Sequence, residues 1–207
     1  MSDPAQTPPQ APPVPPLVQL GNPRLAQPSA PLNLTVLASP GVQARLGVLR
    51  QALDVYEGVG IAAPQIGWYE RVFLMVLRHD LGYGKPSEEH LAWINPEVIH
   101  VYSRQAWAWE GCLSVPGLRG WIRRPDIIVV RGFDAQGKRQ EREFSGWASR
   151  VFQHEYDHLE GVLYPYRAQD PRHLVTLEEL ARRAEWPPDW PAPGAARTAP
   201  GQVLLEE

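Results

Sequence analysis

One cysteine, Cys112, stands in a chain of 207 residues, which excludes an internal disulfide and suits a reducing compartment. An excess of charge of either sign is also lacking. The formal net charge is −3, so there is no global electrostatic case for binding DNA or a membrane surface. No apolar run approaches the roughly 18 residues that suggest a transmembrane helix. The first residues lack a positive-then-apolar secretory pattern, and no arginine precedes Arg24, as a transit peptide would need. No internal repeat is visible. A bacterial-type cytoplasmic location is expected, with neither DNA nor a membrane as partner.

What the chain has in plenty is proline, concentrated at its ends. Residues 1–31, with "PPQAPPVPPL", lack helical or strand periodicity. They read as an extended N-terminal arm, mobile or draped over the domain. Residues 187–207 are similarly rich in proline, alanine and glycine, and read as a flexible tail. Between them, residues 32–186 are expected to form one folded domain. The apolar fraction of 43% and charged fraction of 21% suit an ordinary globular core.

Ser39-Pro40 predicts a helix start. Val42, Leu46, Leu49, Leu53 and Tyr56 then recur on one helical face, with Gly58 as the expected stop. "RVFLMVL" and "AWINPEVIHVY" read as strands, the second interrupted at Asn95-Pro96. "DIIVVRGF" and "KRQEREFSGW" flank Asp134-Ala135-Gln136-Gly137, which predicts a hairpin. A helix from about Ser145 to Leu159 follows, and "PRHLVTLEELARRAEW" reads as a final amphipathic helix. This order indicates an α+β fold rather than repeated βαβ units. Small mixed or antiparallel sheets would surround a central helix.

That helix carries "QHEYDHLEG", a His-Glu-x-x-His pattern. Residues four apart share a helix face, so His154 and His158 can reach one ion. Glu155 lies about 100° round the helix, beside the ion, where a carboxylate can move a proton. Asp157 is a candidate for orienting an imidazole. A catalytic site of this type wants a third protein ligand. The extended motif of one protease class requires a third histidine where this chain has Tyr164. A downstream carboxylate, Glu178 or Glu179, would make a zinc endopeptidase. Upstream, Cys112 in "WEGCLSVPGLRG" offers a thiolate, an excellent ligand for a transition metal. In "EGVGIAAPQIG", Gly58 and Gly60 let backbone approach a ligand closely, and Gln65 adds an amide donor. A binding module without catalysis is a further class, against which Glu155 and Gln65 argue.

Three segments occur in one order: Gly58-Val59-Gly60-Ile61-Ala62-Ala63-Pro64-Gln65, Glu110-Gly111-Cys112-Leu113-Ser114, and Gln153-His154-Glu155-Tyr156-Asp157-His158. Together they closely resemble the motifs of the peptide deformylases, from about Pro23 to Trp186. The resemblance implies that residues 32–186 are a metallo-deformylase domain removing the N-formyl group from nascent polypeptides. It implies Cys112, His154 and His158 as ligands of one divalent ion, typically Fe(II), with zinc, nickel or cobalt able to occupy the site. Glu155 would act as acid and base, and Gln65 with the Leu113 N–H as oxyanion donors. The substrate backbone would pair beside Val59 and Gly60 as an added strand, and Gly111 would help keep the cavity small. Trp147 and Val151 would line the methionine pocket, with Arg119 near the substrate chain. Arg150 departs from the apolar residue expected in that pocket, so it is expected either in the outer wall or on the surface. Arg182 and Arg183 on the C-terminal helix suggest docking on the ribosome.

Overall fold

The structure, a computed structural model, describes residues 14–79 and 87–206. The first 13 residues of the expected arm, and Glu207, lie outside the described residues. Helix α1 covers Pro40–Val55, and the Ser39 side chain accepts from the Val42 N–H at its start. Val42, Leu46, Leu49 and Leu53 form its buried face. Burying four such side chains contributes on the order of 10 kcal/mol before conformational entropy is counted. The stop differs from the expectation at Gly58. Glu57 takes the left-handed conformation, with φ of 52°, and the Gly58 N–H reaches back to the Leu53 carbonyl at 3.1 Å. Glycine therefore sits one place later than this type of helix end favours.

The strands are β1 (Gly60–Ala62), β2 (Val72–His79), β3 (Ser87–Val101), β4 (Gln105–Cys112), β5 (Val115–Pro125), β6 (Ile127–Phe133) and β7 (Arg139–Ser145). Helix α2 (Gly146–Leu159), β8 (Leu174–Thr176), the short helix α3 (Leu177–Ala181) and β9 (Leu204–Leu205) follow. One sheet has the order β1-β2-β3-β6-β7 and the other β8-β5-β4-β9, with antiparallel pairing throughout. Asn95 has φ of 48°, and the register of β3 against β6 shifts after Ile94. The expected interruption at Asn95-Pro96 is thus a bulge within one long strand.

Alternation along β2 explains the layering. Val72, Leu74 and Val76 pack with the apolar face of α1. Phe73 and Met75 point the other way, into the cluster that holds Val151, Phe152 and Leu159 of α2. Phe152 meets both Phe73 and Trp93 edge-on at 5.1 Å. The opposite side of α2 faces the second sheet, where Arg150 donates to the carbonyls of Ile122 and Ala106. The order of layers is therefore α1, first sheet, α2, second sheet. The fold is α+β with antiparallel sheets. Among the described residues no helix is long and apolar enough to cross a membrane.

Two expectations need correction, for the final helix and for the tail. The final amphipathic helix is not formed over its full span: Leu174–Thr176 pairs with β5, leaving Leu177–Ala181 as α-helix between short 3-10 turns at Pro171–His173 and Arg183–Glu185. Backbone pairing of this segment with an available strand edge overrides weak helical periodicity. Of the arm read as mobile or draped, residues 14–31 lie packed on the domain, with the Val18 N–H on the Gln65 carbonyl at 2.8 Å and the Leu20 N–H on the Ser114 carbonyl at 2.7 Å. The expected loose tail is likewise packed over residues 187–206. Ala195 is fully buried, the Trp109 indole N–H donates to its carbonyl at 3.0 Å, and β9 pairs with β4.

Candidate metal centre

α2 presents His154 and His158 one turn apart, and the end of β4 brings Cys112 to them. One ligand atom from each lies within 4.8 Å of the others. The Cys112 sulfur is 3.2 Å from His158 Nε2. The Ser114 backbone N–H points at the same sulfur at 3.3 Å. A thiolate and two imidazoles form a donor set suited to a divalent transition metal. Glu178 and Glu179 are exposed on α3 and stand outside this cluster.

The residue that orients an imidazole is Glu110, not Asp157. Glu110 Oε2 lies 2.9 Å from His154 Nδ1, which leaves Nε2 to face an ion. Glu110 is itself clamped by Arg124, through Nε and Nη2 at 2.6 and 2.9 Å, and by Arg150 Nη1 at 2.5 Å. Asp157 turns away to accept from Arg124 at 2.7 Å and from Arg167 at 2.5 Å. Arg150 is buried, which rules out the surface reading, and it belongs to this network while also lining the cavity. Nothing in the local sequence announced the roles of Arg124 and Arg150, because their partners lie on other elements. Glu110 stood within a quoted motif, but its role needed the fold.

Electrostatics follow the network. Burial alone would raise the Glu110 carboxyl, but Arg124, His154 and Arg150 hold it well below the usual range. Burial alone would lower His154, yet its neighbours Cys112 and Glu110 raise it well above the ordinary histidine value. His158 is pushed well below that value by burial, then by the positive charges of His154 and Arg124. A neutral imidazole is the form that binds metal. Burial also pushes Glu155 up to about 7, with the charge of His154 opposing.

Gln65 is fixed by its oxygen. Oε1 accepts from the Ala62 N–H at 2.8 Å, so the amide nitrogen faces Ser114 Oγ at 3.2 Å and the Cys112 sulfur at 3.6 Å. Gly60 approaches a residue rather than only a ligand: a Cβ there would lie 2.4 Å from Glu155 Oε1. Gly111 lies under the Arg119 guanidinium, where a Cβ would be 2.4 Å from its central carbon. The Tyr164 ring stacks on His154, with centroids 6.1 Å apart.

These groups surround a cavity of about 310 Å³, within the range of small-molecule sites. Val59, Gly60, Gln65, Gly111, Cys112, Leu113, Arg119, Trp147, Val151, His154 and Glu155 line it. His158 completes the cluster without lining the cavity. Arg150 lines it too, and so do Trp109, Glu110, Pro200 and Gly201, which the sequence had not placed there.

Known proteins resemble the chain over most of its length. A family model described as Polypeptide deformylase matches residues 14–173. Peptide deformylase 2 of Nostoc sp. is 37% identical over 165 residues, which is 79% of this chain and 91% of that protein. Peptide deformylase 1 of Nitrosomonas europaea is 35% identical, covering 80% of this chain and 93% of its own. The Met-Ala-Ser-bound class I type b peptide deformylase of Acinetobacter baumannii superimposes with a TM-score of 0.68 at 33% identity, covering 74% of this chain and 98% of that one. The deformylase of Thermotoga maritima gives 0.64 at 34% identity, covering 74% and 97%.

Proposed function

The chain belongs to the peptide deformylase family, and from that premise we propose how its residues divide the work. The protein is a metal-dependent hydrolase that removes the N-formyl group from polypeptides beginning with formyl-methionine, releasing formate. The observation that carries the reading is the cluster of Cys112, His154 and His158 beside a cavity that Cys112, His154 and buried Glu155 line.

Cys112, His154 and His158 hold one divalent ion, and the resident metal we propose is Fe(II). Zinc, nickel or cobalt suits the same donors. When bound, the ion supplies Lewis acidity and brings the ionisation of water within reach at neutral pH. Glu155 takes the proton from the attacking water and delivers it to the departing amine. Its buried carboxyl, near 7, is matched to both halves of that task. Gln65, locked by Ala62, directs an N–H towards the developing oxyanion, and the Leu113 N–H completes that site.

β1 is an edge strand, so a substrate backbone can add beside Val59 and Gly60. Trp147 and Val151 offer an apolar wall to the methionine side chain, and Arg119 borders the chain beyond it. The Acinetobacter relative was solved with Met-Ala-Ser, the peptide that deformylation of formyl-Met-Ala-Ser leaves behind. Residues 32–186 supply every group that touches the ion or the formyl carbon.

Metal analysis tests the ligand set. Chelated protein is expected to lose activity and regain it with one equivalent of Fe(II) under anaerobic conditions. Cys112→Ser is expected to lose both metal and rate. A Cys112→Ser variant that retained a full equivalent of metal would remove Cys112 from the site.

The cytoplasm fits a single unpaired cysteine. Action on emerging chains also motivates ribosome docking, now through the short α3 and its exposed Arg182 rather than a long basic helix. Salt-sensitive co-sedimentation with ribosomes, lost in Arg182→Glu, tests that; unchanged co-sedimentation of the variant contradicts it.

A further inference from the structure

We infer that the C-terminal segment is part of the substrate site, with the Pro200–Gly201 turn forming the end wall that limits the length of the first side chain. This rests on the deformylase reading and goes beyond it, since the family match ends at residue 173.

Pro200 and Gly201 line the same cavity as Cys112 and Glu155. Their position along that cavity follows from what holds the segment. Leu204 and Leu205 pair with Trp107 and Ala106. The Ala106 carbonyl accepts from Arg150 Nη2 at 2.8 Å. The turn therefore lies at the Arg150 end of the cavity, away from the Gly58–Gly60 edge.

The segment is latched rather than loosely laid down. Glu206 accepts from the Trp107 indole N–H at 2.6 Å and from two nitrogens of Arg123 at 2.5 and 2.6 Å. A cavity that ends in a fixed turn suits a side chain of limited length. The unbranched methionine side chain has that character.

The test compares three substrates, formyl-Met-Ala-Ser, its formyl-alanyl analogue, and an analogue whose unbranched first side chain is two methylenes longer. Two variants are made in the full chain. Glu206→Ala frees the latch and is expected to raise kcat/KM for the long side chain relative to methionine by tenfold or more. Pro200→Trp thickens the wall and is expected to shift preference towards alanine. Calorimetric binding of the matching deformylated peptides gives the same ranking without turnover. A wild-type protein that bound these peptides but released no formate would contradict the deformylase reading alone. Substrate and binding ratios within twofold of wild type in both variants, or shifts in the opposite direction, would overturn the end-wall proposal.

Discussion

Gly60 and Glu155 show how tightly the site is set at the scale of single residues. The glycine was legible in the sequence as a place where backbone comes close to something. What it comes close to is the Glu155 carboxylate, and that required the tertiary pairing of β1 with α2. Gly60→Ala places a Cβ 2.4 Å from Glu155 Oε1, so the carboxyl must move. The variant is expected to keep its metal and fold but lose 10²–10⁴-fold in kcat, the usual worth of a positioned acid–base group. Glu155→Gln is the reference for the size of that loss, and a Gly60→Ala enzyme at wild-type rate would show that the carboxyl position is not critical. Asp157 teaches the complementary lesson. Its place beside His158 suggested an orienting role, but its side chain points to Arg124 and Arg167. Glu110, 44 residues from His154, does the orienting.

At the scale of elements, local signals worked where local chemistry decides and failed where a neighbour decides. The start of α1 was legible because a serine cap and a following proline need no partner outside the helix. Its end was displaced by one residue, since Glu57 carries the left-handed turn. Relieving a non-glycine residue of that conformation contributes about 1 kcal/mol. Glu57 is exposed, so Glu57→Gly is expected to raise Tm by about 2–4 °C. Thermal unfolding checks this, and a lowered Tm would mean that the glutamate side chain contributes more than its backbone costs. The segment around Leu174 failed for the opposite reason. Apolar spacing favoured helix, while the free edge of β5 at Leu118–Gly120 offered three residues of pairing.

For the whole molecule, the layers are joined through one buried network of charge. Arg124 of β5 touches Glu110 of β4 and Asp157 of α2. Burial opposes its charge, but the two carboxylates outweigh that and raise its pKa. Arg124→Ala leaves buried carboxylates short of a partner and is expected to destabilise the protein by about 3–5 kcal/mol. Denaturant unfolding measures it, and a loss below 1 kcal/mol would show that Arg150 and Arg167 suffice. None of these pairings was legible from spacing, since each crosses between elements. The triple motif, by contrast, carried the activity, because its residues converge on one cavity whatever the details of the packing around them.

The measurement that tests the central claim most directly is formate release by anaerobically purified, Fe(II)-loaded protein given formyl-Met-Ala-Ser or acetyl-Met-Ala-Ser. The expected result is one formate per formyl peptide and no detectable acetate. Equal hydrolysis of both peptides, or cleavage of an internal peptide bond with the formyl group left in place, would contradict it.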